Sequence, residues 1–188
     1  MNIEEIDKEI KESILAKNRM DAKSILKATE IILNAYKKNK KTIWFGNGGS
    51  AADAQHIVAE FVGRFEKERK PLSAISLNTN TSNITAIAND YSYSDVFSRS
   101  LEAVGEEGDV VVGISTSGTS KNVLNGLEKA KEIGCKTIGL VGGNTDQIKD
   151  LCDVSISIPI KRTCRVQEIH ILTGHIICFM VEKELFGE

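Results

Sequence analysis

Apolar residues recur along this chain in two rhythms. Over the first forty positions the spacing is helical: Ile3, Ile6, Ile10 and Ile14 mark one stripe, and Ile25, Leu26, Ile32, Leu33 and Tyr36 a second. The pattern breaks between Met20 and Ser24, where Asp21 is placed to cap the second helix. From Thr42 onward, short apolar runs alternate with helical stretches. The runs at 42–45, 73–77, 109–114, 137–141 and 154–158 predict strands. Helical patterns at 51–62, 82–88, 93–103, 121–133, 146–151 and 165–186 predict the helices that follow them. The run Val110-Val111-Val112-Gly113-Ile114 is apolar at consecutive positions, as a strand covered by helices on both faces should be. This alternation predicts an α/β three-layer sandwich with a five-stranded parallel sheet in the flavodoxin-like order 2-1-3-4-5. With no repeat or linker, residues 1–188 read as a single domain, 1–40 being an N-terminal helical extension and 41–188 the α/β core.

Composition narrows the class. A chain of 188 residues can bury a substantial core. A formal net charge of −2 gives no electrostatic case for nucleic acid or an anionic membrane as partner. The segment Arg64-Phe65-Glu66-Lys67-Glu68-Arg69-Lys70 is mixed in sign and reads as a solvated loop. Cys135, Cys152, Cys164 and Cys178 show no C-x-x-C pairing, and the N-terminus does not read as a secretory signal, so a reduced cytoplasm is the expected compartment. Cys178 lies in the apolar run 176–181, far short of the roughly 20 residues that span a bilayer, and reads as a small core residue.

The chemistry gathers at strand-to-helix junctions. After the first strand come Gly46-Asn47-Gly48-Gly49-Ser50 and then a helix, a geometry that aims backbone N–H groups at an anion. No Lys-Ser or Lys-Thr follows the glycines, and their spacing misses G-x-G-x-x-G, so nucleoside triphosphates and dinucleotides lose support. The competing reading of such a loop, and the lesser one, is a tight turn that merely needs small residues. Further along that helix His56, Glu60 and Arg64 recur every fourth residue, a drift of about 40° per step that predicts one shared face. The third strand runs into Ser115-Thr116-Ser117-Gly118-Thr119-Ser120. Ser and Thr cap helices, but five hydroxyls around one glycine exceed that need and add a second anion cradle at the carboxyl end of a central strand. The last helix carries Arg165, Gln167, Glu168, His170 and His175 on an otherwise apolar element, where a lone histidine is usually a satisfied core residue. Asn89-Asp90 reads as a turn within reach of polar substrate groups.

The Gly-Asn-Gly-Gly-Ser loop, the His56…Glu60…Arg64 row, Asn89-Asp90, the loop 115–120 and Arg165-Val166-Gln167-Glu168…His175 together resemble the sugar isomerase (SIS) domain over nearly the whole chain. They are most similar to those members that convert D-sedoheptulose 7-phosphate to D-glycero-D-manno-heptose 7-phosphate for lipopolysaccharide or capsule. The resemblance implies an aldose–ketose isomerase, a homotetramer and one zinc ion (Zn2+) per subunit. It implies that Ser50, Ser115, Thr116, Ser117 and Ser120 hold the phosphate in a cradle that Gly48 and Gly49 help to form, and that Asn47, Glu60, Arg64, Asn89, Asp90 and Gln167 contact substrate. It makes His56, Glu60, Gln167 and His175 the metal set, with Glu60 and His175 also the acid/base pair. Thr119 stands where the family loop often has Asn, and Cys164 where some relatives carry a carboxylate.

Moving a carbonyl between C1 and C2 needs one group for the carbon proton and another for the oxygens. Glu60 suits the first and His175 the second. A carboxylate bound tightly to a cation is a poorer base, so either the metal polarises the carbonyl and Glu60 shifts off it, or the ion is regulatory or adventitious. Gln167 and His175 are eight residues apart, about 12 Å along a helix, so a shared site would draw one of them from a neighbouring subunit. On that view inactive Glu60→Gln and His175→Ala chains would complement. The rival reading is a non-enzymatic adaptor of the same fold, resembling the DnaA initiator-associating protein, which needs neither Glu60 nor His175. A sugar-phosphate sensing domain and an isomerase of a shorter sugar phosphate are the remaining alternatives.

Overall fold

The computed structural model describes residues 2–143 and 145–187. Two helices come first: α1 (Ile3–Lys17) and α2 (Ala22–Lys37). The α/β core follows as β1 (Thr42–Gly46), α3 (Gly49–Val62), β2 (Ala74–Ser76), α4 (Thr81–Asp90), α5 (Val96–Val104), β3 (Val110–Ser115), α6 (Lys121–Ile133), β4 (Lys136–Gly142), β5 (Val154–Ile158) and α7 (Thr163–Phe186). The sheet order is β2-β1-β3-β4-β5 and every pairing is parallel. That is the predicted order.

Strand sequences explain the layering. Trp44, Val110, Val112, Ile138 and Leu140 point to one face, where they meet Ile32, Ile57, Phe61, Ile169 and Ile177 from α2, α3 and α7. Ile43, Phe45 and Val111 point to the other, against Phe97, Leu101, Val123 and Leu127 from α5 and α6. The inner strands β1 and β3 are buried at every position, while β5 at the sheet edge alternates between buried Val154, Ile156 and Ile158 and half-buried serines.

Three expectations change. Residues 146–151 form turns ending in a 3-10 turn at Lys149–Leu151 rather than an α-helix, because six residues are too few to repay nucleation and Ile148 is anchored singly in the core. The predicted helix at 93–103 is a 3-10 turn at Tyr93–Asp95 followed by α5. Leu26, assigned to the buried stripe of α2, is half exposed, although Asp21 does cap that helix by accepting from the Lys23 N–H at 3.0 Å.

α1 is attached by its polar side. Glu9 pairs with Arg162 and Arg165, and the Ser13 hydroxyl donates to Glu168 at 2.7 Å. Its apolar stripe faces outward, with Ile3, Ile6, Ile10 and Ile14 between 52% and 75% exposed.

Candidate active site

β1 leads to β2 on one side of the sheet and β3 leads to β4 on the other, so the strand order reverses between β1 and β3. Gly46 lies beside Ile114 there. Ligands of open α/β sheets bind in the crevice at this point. At Gly46 an added Cβ would stand 2.9 Å from the Ile114 carbonyl oxygen, so a side chain would force the two strand ends apart. Gly48 holds φ at 56°, a conformation glycine adopts without strain. No side chain caps α3, which leaves its positive end open to an outside anion. Ser50 is buried in the first turn.

In the second loop the hydroxyls bond one another. Ser115 Oγ donates to Ser120 Oγ at 3.1 Å and accepts from the Gly118 N–H at 3.1 Å. Ser117 Oγ accepts from the Thr119 N–H and hydroxyl at 3.2 and 3.1 Å. Ser120 occupies the N-cap of α6 yet makes no capping bond. Capping therefore does not account for it. Thr116, half-buried between them in sequence, is the residue whose carbonyl abuts Gly142.

Residues that sequence reasoning missed join the two loops. Asn47 and Asn122 exchange amide hydrogen bonds of 2.8 and 2.9 Å, and the Tyr93 hydroxyl donates to the same Asn47 oxygen at 2.9 Å. Asn122 is buried in the first turn of α6. Its only sequence signal is an amide among the core positions of that helix. Asn78 bonds both the N–H and the C=O of Gly46, at 3.2 and 2.8 Å, standing in for a strand neighbour.

A second group lies further along α3, where α7 runs beside it in the same direction. His56 Nε2 is 3.0 Å from His175 Nε2 and 3.1 Å from Glu60 Oε1. The Phe65 ring stands 5.8 Å from the His175 ring. A ring nitrogen offers one proton or one lone pair, so His56 Nε2 cannot satisfy both contacts in one state. Three electron-rich atoms thus converge, an arrangement that a cation relieves. All three ligand atoms lie within 4.8 Å of one another. Tetrahedral zinc with bonds of about 2.0–2.1 Å separates its ligand atoms by about 3.3 Å, and two imidazoles with one carboxylate and an open position make a common catalytic zinc arrangement. The residues fit the ion.

Asp53, three residues before His56, has a buried carboxylate oxygen without a hydrogen-bond partner among the described residues. Burial pushes its pKa up to about 6, against the opposing pull of His56.

Several predicted residues fall elsewhere. Gln167 lies against Gly49, where an added Cβ would meet its Nε2 at 2.1 Å. Within one chain it therefore stands at the other end of the α3–α7 contact from His56, Glu60 and His175. Glu60 and His175, by contrast, meet in the same chain, which removes the ground for complementation between those two variants. Arg64 does not continue the helical row. α3 ends at Val62, and Gly63 turns the chain so that Arg64 is exposed, donating to the Glu66 carbonyl at 3.4 Å. The cause is distant in sequence. Glu182 on α7 accepts from the backbone N–H groups of Phe65, Glu66 and Lys67 at 3.2, 2.8 and 2.9 Å and draws the chain off the helix axis. Nor is the segment 64–70 simply solvated, because Arg69 is buried against Glu182. Burial pushes the Glu182 carboxyl up, but these backbone donors and Arg69 outweigh it and hold its pKa below the ordinary value. Asn89 and Asp90 form the last turn of α4 rather than a turn after it, and Asn89 donates to Asp90 at 2.9 Å. Among the described residues no hydrogen bond joins them to either loop. His170 is buried, which lowers its pKa to about 4.

A model of the SIS domain matches residues 7–142. Phosphoheptose isomerase of Clostridium acetobutylicum is 52% identical over 188 residues, covering 97% of this chain and 96% of that protein. The solved phosphoheptose isomerase of Neisseria gonorrhoeae superposes with a TM-score of 0.90 at 39% identity, covering 96% of this chain and 98% of that one. That of Francisella tularensis gives 0.92 at 30% identity, covering 97% and 100%. The Gly-rich loop, the hydroxyl loop and the His–Glu–His group thus sit on a fold shared from end to end with these enzymes, and the chain belongs to the phosphoheptose isomerase family of SIS-domain proteins.

Proposed function

We propose that the site described above converts D-sedoheptulose 7-phosphate to D-glycero-D-manno-heptose 7-phosphate through an enediol. The chain is an aldose–ketose isomerase by its family, and the residues supply the parts that this chemistry requires. Glu60 takes the proton from one carbon and returns it to the other, while His175 moves protons at the two oxygens. The loops 46–50 and 115–120 hold the phosphate with the open end of α3 and the hydroxyls of Ser115, Thr116, Ser117 and Ser120. Asn47 can present only a donor to the substrate, since its amide oxygen already accepts from Asn122 and Tyr93. A zinc ion held by His56, Glu60 and His175 would supply Lewis-acid polarisation of the substrate carbonyl, and Glu60 would have to leave the ion to act as the base.

The observation that carries this reading is the convergence of His56, Glu60 and His175 at 3.0 and 3.1 Å on the helix whose first turn belongs to the Gly-rich loop and on α7 beside it. An adaptor has no use for it. The outward apolar stripe of α1 and the placement of Gln167 support a homotetramer whose sites are completed by a neighbour's Gln167. In that reading Arg64, Asn89 and Asp90, all exposed, face substrate only in the assembly.

The deciding assay runs the purified protein in deuterated water with ketose phosphates of five, six and seven carbons. Turnover of the seven-carbon sugar, with deuterium at C2 of the aldose product, is expected. Absence of turnover with all three returns the chain to the adaptor reading, and a preference for a shorter sugar replaces the substrate.

A further inference from the structure

Arg69 and Glu182 lie outside the catalytic set, yet their side chains are 2% and 4% exposed and Nε sits 2.8 Å from Oε1. An ion pair so deeply buried has to recover a large desolvation cost through further hydrogen bonds. These bonds go to particular places. Arg69 Nη2 donates to the Glu60 carbonyl at 2.8 Å, and Nη1 to the Phe61 carbonyl at 2.9 Å. The last carbonyls of a helix have no partner within it, so Arg69 closes the C-terminal turn of α3 at the residue that carries the catalytic carboxylate.

The other half of the pair reaches the second catalytic group. Glu182 lies seven residues after His175 on α7, about two turns, hence on the same face. It binds the Phe65 N–H at 3.2 Å, and the Phe65 ring stands against His175 at 5.8 Å. A single pair therefore grips the backbone of Glu60, the helix bearing His175 and the ring beside that imidazole. Holding the segment 64–70 in place would not require a bond to Glu60.

We infer that Arg69 and Glu182 are positioning residues that keep Glu60 and His175 in register across the α3–α7 contact. The inference rests on the assignment of those two residues as the acid/base pair. Both positioning side chains are buried, so they act through Glu60 and His175 and not on the sugar.

Two variants test it. Arg69→Lys keeps a charge opposite Glu182, but one ammonium cannot replace the guanidinium fork across Glu182 and the carbonyls of Glu60, Phe61, Gly63 and Lys70. Arg69→Met removes every bond. Misplacement on the order of 1 Å costs about 10²-fold in rate, so kcat should fall about 10-fold for Arg69→Lys and about 100-fold for Arg69→Met. KM should stay within about twofold, because one phosphate loop opens α3 at the end opposite the turn that Arg69 closes and the other precedes α6. The deuterium isotope effect on kcat, read with sedoheptulose 7-phosphate deuterated at C1, should rise as proton abstraction becomes more limiting.

Glu60→Gln is assayed alongside. Its retaining activity would remove the acid/base assignment itself. If Glu60→Gln is inactive while the folded Arg69 variants keep the native kcat, the positioning inference fails. It also fails if kcat drops with an unchanged isotope effect, since that is the mark of a purely structural role. Should Arg69→Met not fold, the kcat and isotope effect of Arg69→Lys decide between the two.

Discussion

Two carboxylates on α3 carry the residue-scale predictions. Glu60→Gln preserves shape and removes the base, so kcat should fall by at least about 10²-fold and deuterium incorporation should cease. Normal turnover by the folded variant would overturn the role. Asp53 is a matter of stability. Its pKa of about 6 exceeds the ordinary value of 3.8, so between those values the fold binds more protons than the unfolded chain does. The contribution of Asp53 to stability is therefore fully present below 3.8 and is lost as pH rises through about 6. Asp53→Asn should raise Tm at about pH 8 and leave it nearly unchanged at about pH 3.5. An equal shift at both values would contradict the burial argument. At this scale the sequence was only partly legible. His170 and His175 share one helix, and only one of them reaches a site. α7 is apolar nearly all round, so helical periodicity gives no preferred face by which to separate them.

At the scale of elements, what could be read was what local chemistry decides. A strand, a glycine turn and an uncapped helix make a candidate anion site out of adjacent residues, and so do five hydroxyls before α6. Ser117→Ala and Ser120→Ala should raise KM by the equivalent of about 1–3 kcal/mol, the value of a hydrogen bond to a charged group, with kcat little changed. Because Ser120 makes no capping bond, its loss should not bring the ~1 kcal/mol destabilisation usual for a cap removed to alanine. A matching fall in Tm with unchanged KM would restore the capping explanation. What escaped was decided at long range. The helical spacing runs on to Arg64 because nothing near it announces Glu182, more than a hundred residues away, whose carboxylate ends α3 by taking three backbone N–H groups. The Asn47–Asn122 pair is equally non-local, joining the turn after β1 to the first turn of α6.

For the whole molecule, the strand order followed from alternating β and α with right-handed crossovers, which leave few topologies open. Assembly did not follow, since the helical stripe of Ile3, Ile6, Ile10 and Ile14 is the same whether it packs inside one chain or against another. Its outward direction now favours another chain, and so does the site. Gln167 lies beside Gly49, about 12 Å along α7 from His175, whereas Glu60 and His175 meet within one chain. If a neighbour's Gln167 completes each His56–Glu60–His175 cluster, the pattern of complementation is fixed. Glu60→Gln mixed with His175→Ala should stay inactive after subunit exchange, because every cluster keeps one defect. Glu60→Gln mixed with an inactive Gln167→Ala should recover activity, because hybrids pair an intact cluster with an intact glutamine. Random pairing of equal amounts makes roughly a quarter of the sites whole. Recovery in the first mixture, or none in the second despite exchange proven by mass labelling, would show that the sites are not composite in this way.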